Sequence, residues 1–224
     1  MKTIKTLVIG LLMSVSMVSC HTEESVDVNQ DKIFTEYELF YDANEDKTYA
    51  KAKFKFSNST GTTLKLTSPS AVYFDDDVLH YNETFAIYEK VYAGYKGEGS
   101  FKYKNADGKT YVNSISNNPI QFPVITEIDS ESSFELEWEG TPLISKENVV
   151  LILMGKNGGT EFVLKEGAGV SSIIIPKNQL QKLQKGETDM FMDRTWSPDL
   201  QQKNDAGGTI IGKYRALNKK VNLN

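Results

Sequence analysis

From Ile33 onward the chain alternates apolar and polar residues in short runs divided by turn residues. In AKAKFKFS, Ala50, Ala52, Phe54 and Phe56 fall on one face and Lys51, Lys53 and Lys55 on the other. A period of two marks a strand with one buried face, since a helix would scatter the lysines around its axis. SFELEWEG repeats the pattern, with Phe134, Leu136 and Trp138 inward and Glu135, Glu137 and Glu139 outward. NVVLILMG is apolar almost throughout, which predicts a central strand covered on both faces. SFKYK and TYVNSI flank NADG, and Asp107-Gly108 predicts a hairpin closed by a type I′ turn, whose two central residues need positive φ. In YNETFAIYEKVYAGYKGEG, Phe85, Tyr88, Tyr92 and Tyr95 lie near helical spacing, while Phe85, Ile87, Val91 and Ala93 alternate. Its β-branched and aromatic content predicts a strand with the second set on one face.

The later runs GVSSIIIP, ETDMFMDR and GTIIGKYRA read as further strands. Between the first two lies PKNQLQKLQKG, with Pro176 at the first helical position, Leu180 and Leu183 three apart and Gly186 at the exit, which predicts one short helix. Strand, helical turn with L-x-x-L, Gly, strand resembles the E-to-F corner of immunoglobulin-like sandwiches. The Cys-Trp-Cys pattern of antibody domains is absent. Polar residues collect at ITEIDSESS, between two halves that each carry about seven strand-like runs, close to one small sandwich apiece. The expected fold is all-β: tandem immunoglobulin-like β-sandwiches, residues 33–126 and 127–224, with one larger sandwich as the alternative.

The N-terminal region has a different composition. Lys2 and Lys5 precede an uncharged apolar run from Thr6 to Val18, then Ser19 and the only cysteine, Cys20. The run is shorter than the about 20 residues needed to cross a bilayer, and its layout is that of a secretory signal peptide, residues 1–19. MVSC resembles the lipobox of bacterial lipoproteins, with Met17 in place of the usual Leu. The resemblance implies that Cys20 is lipidated as the first mature residue and that the protein sits at the bacterial outer membrane, on its surface or on its periplasmic face. A lone thiol would be a liability in an oxidising compartment, and a lipidated one is not. HTEESVDVNQDK has few large apolar residues, so residues 20–32 are expected to form a flexible, acidic tether.

The formal net charge is -5 and falls further once Lys2 and Lys5 are removed, which argues against a nucleic-acid partner. No G-x-S-x-G, H-E-x-x-H or Walker motif occurs, and GEGSFK fails as a dinucleotide fingerprint because Lys102 takes the third glycine's place. DANEDKTYAKAK fails as a calcium loop, since Lys47 stands where Gly is needed and Lys53 where a bidentate Glu is required. It reads as a hairpin turn. Only two histidines are present, and FDDDVLH offers Asp75, Asp76, Asp77 and His80 as the one cluster on which an envelope hydrolase could be built. On an extended strand those aspartates point to opposite faces.

The expected role is therefore non-enzymatic binding of a protein or glycan, with no cofactor and no metal, and the alternatives are a hydrolase at Asp75–His80 or a structural subunit of an envelope assembly. The long segment TWSPDLQQKNDAGG is expected to be an exposed loop, in which Trp196, flanked by Arg194 and Asp199, is the leading contact. Tyr88, Tyr92 and Tyr95 form a second candidate, an aromatic platform for a sugar ring.

Overall fold

The computed structural model describes residues 22–224; the apolar leader, Cys20 and His21 lie outside them. In chain order the strands are β1 (Thr22–Glu24), β2 (Ile33–Asp42), β3 (Lys47–Phe56), β4 (Thr63–Lys65), β5 (Ala71–Phe74), β6 (Asp77–Val78), β7 (His80–Asn82), β8 (Ile87–Ala93) and β9 (Glu98–Lys104). They continue as β10 (Thr110–Ser116), β11 (Glu127–Ile128), β12 (Phe134–Glu137), β13 (Glu147–Gly155), β14 (Thr160–Glu166), β15 (Ser172–Ile175), β16 (Gly186–Trp196), β17 (Gly208–Arg215) and β18 (Lys219–Leu223). Helix α1 (Lys177–Leu180) follows β15. The fold is all-β.

A 12-stranded sheet runs in the order β1-β4-β3-β2-β17-β16-β13-β14, with β8 also on β3 and β18 also on β16. The sheets β10-β9-β5-β6 and β12-β15 complete the molecule. Alternation in β2 and β3 sends Tyr37, Leu39, Ala50, Ala52 and Phe54 into a first core with Phe74, Phe101 and Tyr103 of the four-stranded sheet. A second core joins Val149, Leu151 and Leu153 of β13 and Met190 and Met192 of β16 to Leu136, Trp138, Ile173 and Ile175. Leu180 and Leu183 of the helical turn close it. β15 and β16 belong to different sheets, so the segment resembling an E-to-F corner does carry the chain from one sheet to the other.

The two cores divide near the polar stretch at 125–133, but the backbone ladder does not. β17 pairs in parallel with β2 over eight residues, from Gly208↔Thr35 to Arg215↔Asp42. Ile210 thereby enters the first core and Tyr41 the second. One sheet thus serves both halves.

Several expectations are corrected. The segment read as a tether is built into the fold from Thr22: β1 pairs in parallel with β4, and Ser25 and Gln30 are buried. Gln30 Nε2 donates to the Ser25 and Val28 carbonyls, and its Oε1 accepts from Ala106 N–H. Polar side chains here supply hydrogen bonds that an apolar run could not, so low hydrophobicity did not mean disorder. The Asp107-Gly108 hairpin forms, but only Gly108 has positive φ (82°), and Asn105 N–H bonds Lys109 O. That is a longer loop with a single left-handed residue, not a type I′ turn. β8 is a strand with the opposite face inward: Tyr88 is buried, whereas Phe85 and Val91 are exposed. β13 is central, yet only one face is sealed, since Met154 is exposed and its outward neighbours on β14, Phe162 and Leu164, are open to solvent.

Candidate functional site

Trp196 closes β16 at the point where the four-stranded sheet approaches the large one. Its ring is half-buried and packs against the first core. The residues after it do not form a free loop. Gln201 Oε1 accepts from Ser114 N–H at 2.8 Å while its Nε2 donates to Ser114 O at 3.1 Å, and Gln202 Oε1 accepts from Val112 N–H at 2.8 Å. Asn113 and Gln202 exchange two more bonds, Asn113 Nδ2 to Gln202 O and Gln202 N–H to Asn113 Oδ1, each at 2.9 Å. These amide groups stand in for a missing strand and occupy the edge of β10, which would otherwise be open to pairing with another chain. The expected exposed recognition loop is thus a fixed strap, because the Val112 N–H and both backbone groups of Ser114 find side-chain partners in it.

Where the strap meets the sheet it leaves a cleft of about 410 Å³, lined by Glu98, Ser100, Ser114, Ser116, Gln201 and Trp196, with Gly99 and Ile115 beneath. Glu98, Ser100, Ser114 and Ser116 share the outer face of β9 and β10 because they alternate with the core residues Phe101 and Ile115. Ser100 Oγ and Ser114 Oγ lie 2.8 Å apart. The lining presents one aromatic plane, three hydroxyls, one amide and one carboxylate, and neither lysine nor arginine. Such a surface suits a ligand rich in hydroxyls, and its lone charge disfavours an anion.

The other residues singled out by sequence lie elsewhere. Arg194 is 1% exposed and cannot reach a partner. Its Nε and Nη2 grip Glu147 at 3.1 and 2.5 Å, and its remaining donors reach the carbonyls of Thr141 and Pro142 at 2.9 and 3.2 Å. Burial by itself would raise the Glu147 carboxyl, but Arg194, the Ile144 N–H and the Asn118 amide together hold it below the usual carboxylate range. Asp199 is exposed and pairs with Lys146 at 2.5 Å. The three tyrosines form no platform. Tyr88 is buried beside Phe54, its hydroxyl accepting from Leu66 N–H at 2.6 Å and pushed up by burial to about 12. Tyr92 is half-buried under the Lys96 ammonium, 4.8 Å from its ring centre. Tyr95, past the end of β8, donates to Asn117 O and packs on Tyr41.

The acidic cluster does not converge either. Asp75 and Asp77 each pair with their own lysine at 2.7 Å, Lys96 and Lys90 respectively, and Asp76 lies 3.8 Å from Lys102. The Lys90 ammonium and Tyr92 hold the Asp77 carboxyl below its ordinary range, which suits an ion and not a proton donor. His80 is exposed on β7 opposite Glu89. Among the described residues no group of three His, Cys, Asp or Glu is placed to hold a metal ion.

No protein-family model and no curated protein matches this chain. Among solved structures, similarity is found to one described as the crystal structure of a tetra-tandem repeat in the extending region of a large adhesion protein. Identity is 9% and the TM-score 0.28, with 85% of this chain and 49% of that chain covered. This chain thus spans about half of that one.

Glu98, Ser100, Ser114 and Gln201 were not singled out by sequence. Serines on the solvent face of a strand carry no pattern that separates a cleft from ordinary surface, and the value of Gln201 comes from docking on a strand about 90 residues away.

Proposed function

We propose that this protein is a lipid-anchored, non-enzymatic component of the bacterial envelope that binds a neutral, hydroxyl-rich glycan in the cleft at Trp196. The observation that carries the reading is the Trp196 plane set beside Ser100, Ser114, Ser116 and Gln201 with no cation in the lining. A ring apolar on one face and hydroxylated at its edge meets complementary chemistry there, and the strap holds Gln201 in place before binding, so little ordering entropy is lost.

An array of neutral and charged oligosaccharides, followed by titration of the strongest neutral hit, tests the assignment. Trp196→Ala is expected to weaken that hit at least about tenfold, the effect of losing one central aromatic contact. Unchanged affinity in Trp196→Ala, or an array without a neutral hit, would overturn it. The Trp196→Phe variant keeps an aromatic packed on the first core and separates a loss of contact from a loss of fold.

The anchor has its own test. Several acyl chains hold a protein stably to a bilayer because each buried methylene contributes about 0.8 kcal/mol. Cys20→Ala is therefore expected to move the protein from the membrane pellet to the soluble fraction. Retention of the variant in the pellet after a salt wash would exclude a lipid anchor at Cys20.

A further inference from the structure

A second cavity lies where the two halves share their sheet, and it is chemically unlike the first. Of about 420 Å³, it is lined by Tyr41 of β2, Tyr214 of β17, Ala43, the Gln121-Phe122 segment, Leu217 and Asn218 between β17 and β18, and Lys219 at the start of β18. Its floor is aromatic: Tyr41 and Tyr214 ring centres are 5.0 Å apart, and Tyr95 backs both at 5.1 and 5.6 Å. Leu217 forms an exposed lip, and Gln121 and Asn218 stand exposed at the rim. The single charge in the lining is cationic. Lys220, the next residue, pairs with Glu187 and Asp189, whereas Lys219 forms no ion pair among the described residues. The nearby acids are already engaged, Asp46 by the Tyr41 hydroxyl and Asp42 by Asn44 and Arg215.

From this geometry we infer that the seam cavity is a binding site for a carboxylate-bearing saccharide. The sugar ring lies against Tyr41, Tyr214 and Phe122, its hydroxyls meet the amides of Gln121 and Asn218, and its carboxylate meets the Lys219 ammonium. Both halves supply walls, which is where ligand sites concentrate in proteins with two packed units. An ammonium without an acidic partner among the described residues, carried by the half-buried residue Lys219, is the feature that selects an anion over a neutral sugar. The site is separate from the Trp196 cleft and does not depend on it.

Calorimetric titration of the whole protein with trigalacturonate, and in parallel with the neutral galactotriose, tests this. Trigalacturonate is expected to bind saturably at one site, Lys219→Gln to weaken it at least about tenfold, and Trp196→Ala to leave it within about twofold. Gln121→Ala, at an exposed residue, is expected to give a smaller loss in the same direction. The inference is overturned if trigalacturonate does not saturate, if galactotriose binds as tightly, if Lys219→Gln binds like the parent, or if Trp196→Ala abolishes binding. Because Lys219 makes no ion pair among the described residues, circular dichroism of Lys219→Gln is expected to match the parent, so a loss of affinity reads on the site.

Discussion

Arg194→Ala is expected to cost about 3–5 kcal/mol, the usual penalty for removing one partner of a buried ion pair and leaving the other charge uncompensated. In this protein the stranded group is the Glu147 carboxylate, whose side chain is fully buried and would keep only the Ile144 N–H and the Asn118 amide. The two carbonyls that Arg194 serves, at Thr141 and Pro142, would also lose their donor. For a chain of this length the cost corresponds to a fall in Tm of roughly 6–20 °C. Thermal unfolding followed by circular dichroism measures it, and a fall of only a degree or two would mean that the pair is not a structural keystone. Replacing both partners by apolar residues, Arg194→Met with Glu147→Leu, is expected to recover much of the loss.

The same pair sets a dependence on pH. The folded-state pKa of Glu147 is lowered, so its stabilising contribution is complete above the ordinary carboxylate pKa and disappears as pH falls through the lowered value. The parent should therefore lose stability in acid. In Arg194→Ala the sign reverses, because burial, the largest influence on Glu147, is no longer opposed by the guanidinium and the carboxyl rises. The deficit of the variant is then expected to be greatest above the raised pKa and to shrink as the pH falls through it and on through the ordinary carboxylate range.

Gly212→Ala is the second large effect. A Cβ at this position would sit 1.9 Å from Ser116 O and 2.9 Å from its carbonyl carbon. Both obstacles are backbone, so no rotamer change relieves them, and β10 would have to move away from β17. Overpacking costs about 1–3 kcal/mol where side chains can adjust, and a clash with main chain belongs at or above the top of that range. Ser116 also lines the Trp196 cleft. The variant should accordingly unfold at lower urea and bind the neutral glycan more weakly even at temperatures where it stays folded. Parent-like stability would show that the two sheets can separate there without cost.

What could be read in advance follows from how far each signal extends along the chain. Strand β12 and the Ala50–Lys55 stretch of β3 were legible because inward apolar and outward charged residues alternate there, whereas Phe56, read as inward, is exposed at the end of β3. The face of β8 was not, because both of its faces carry aromatic or β-branched residues and alternation alone cannot say which one meets a core. Arg194 reads as surface in any scale of polarity, and only the Glu147 carboxylate, 47 residues away, makes its burial possible. Trp196 was legible as a conspicuous residue in a long connection. Its cleft was not, because the partners come from β9 and β10 and the strap depends on amide side chains that match a strand edge in space. The parallel contact of β2 with β17 lies beyond any local pattern.

That last contact bears on how the molecule is made. The N-terminal core lacks Ile210, and β2, paired early with β3, lacks its second neighbour until the chain has been synthesised almost to its end. Non-local pairing of this kind is paid for in loop-closure entropy before it returns any contact, which slows acquisition of the native state. The ladder that joins the two halves is therefore among the last that a nascent polypeptide can complete.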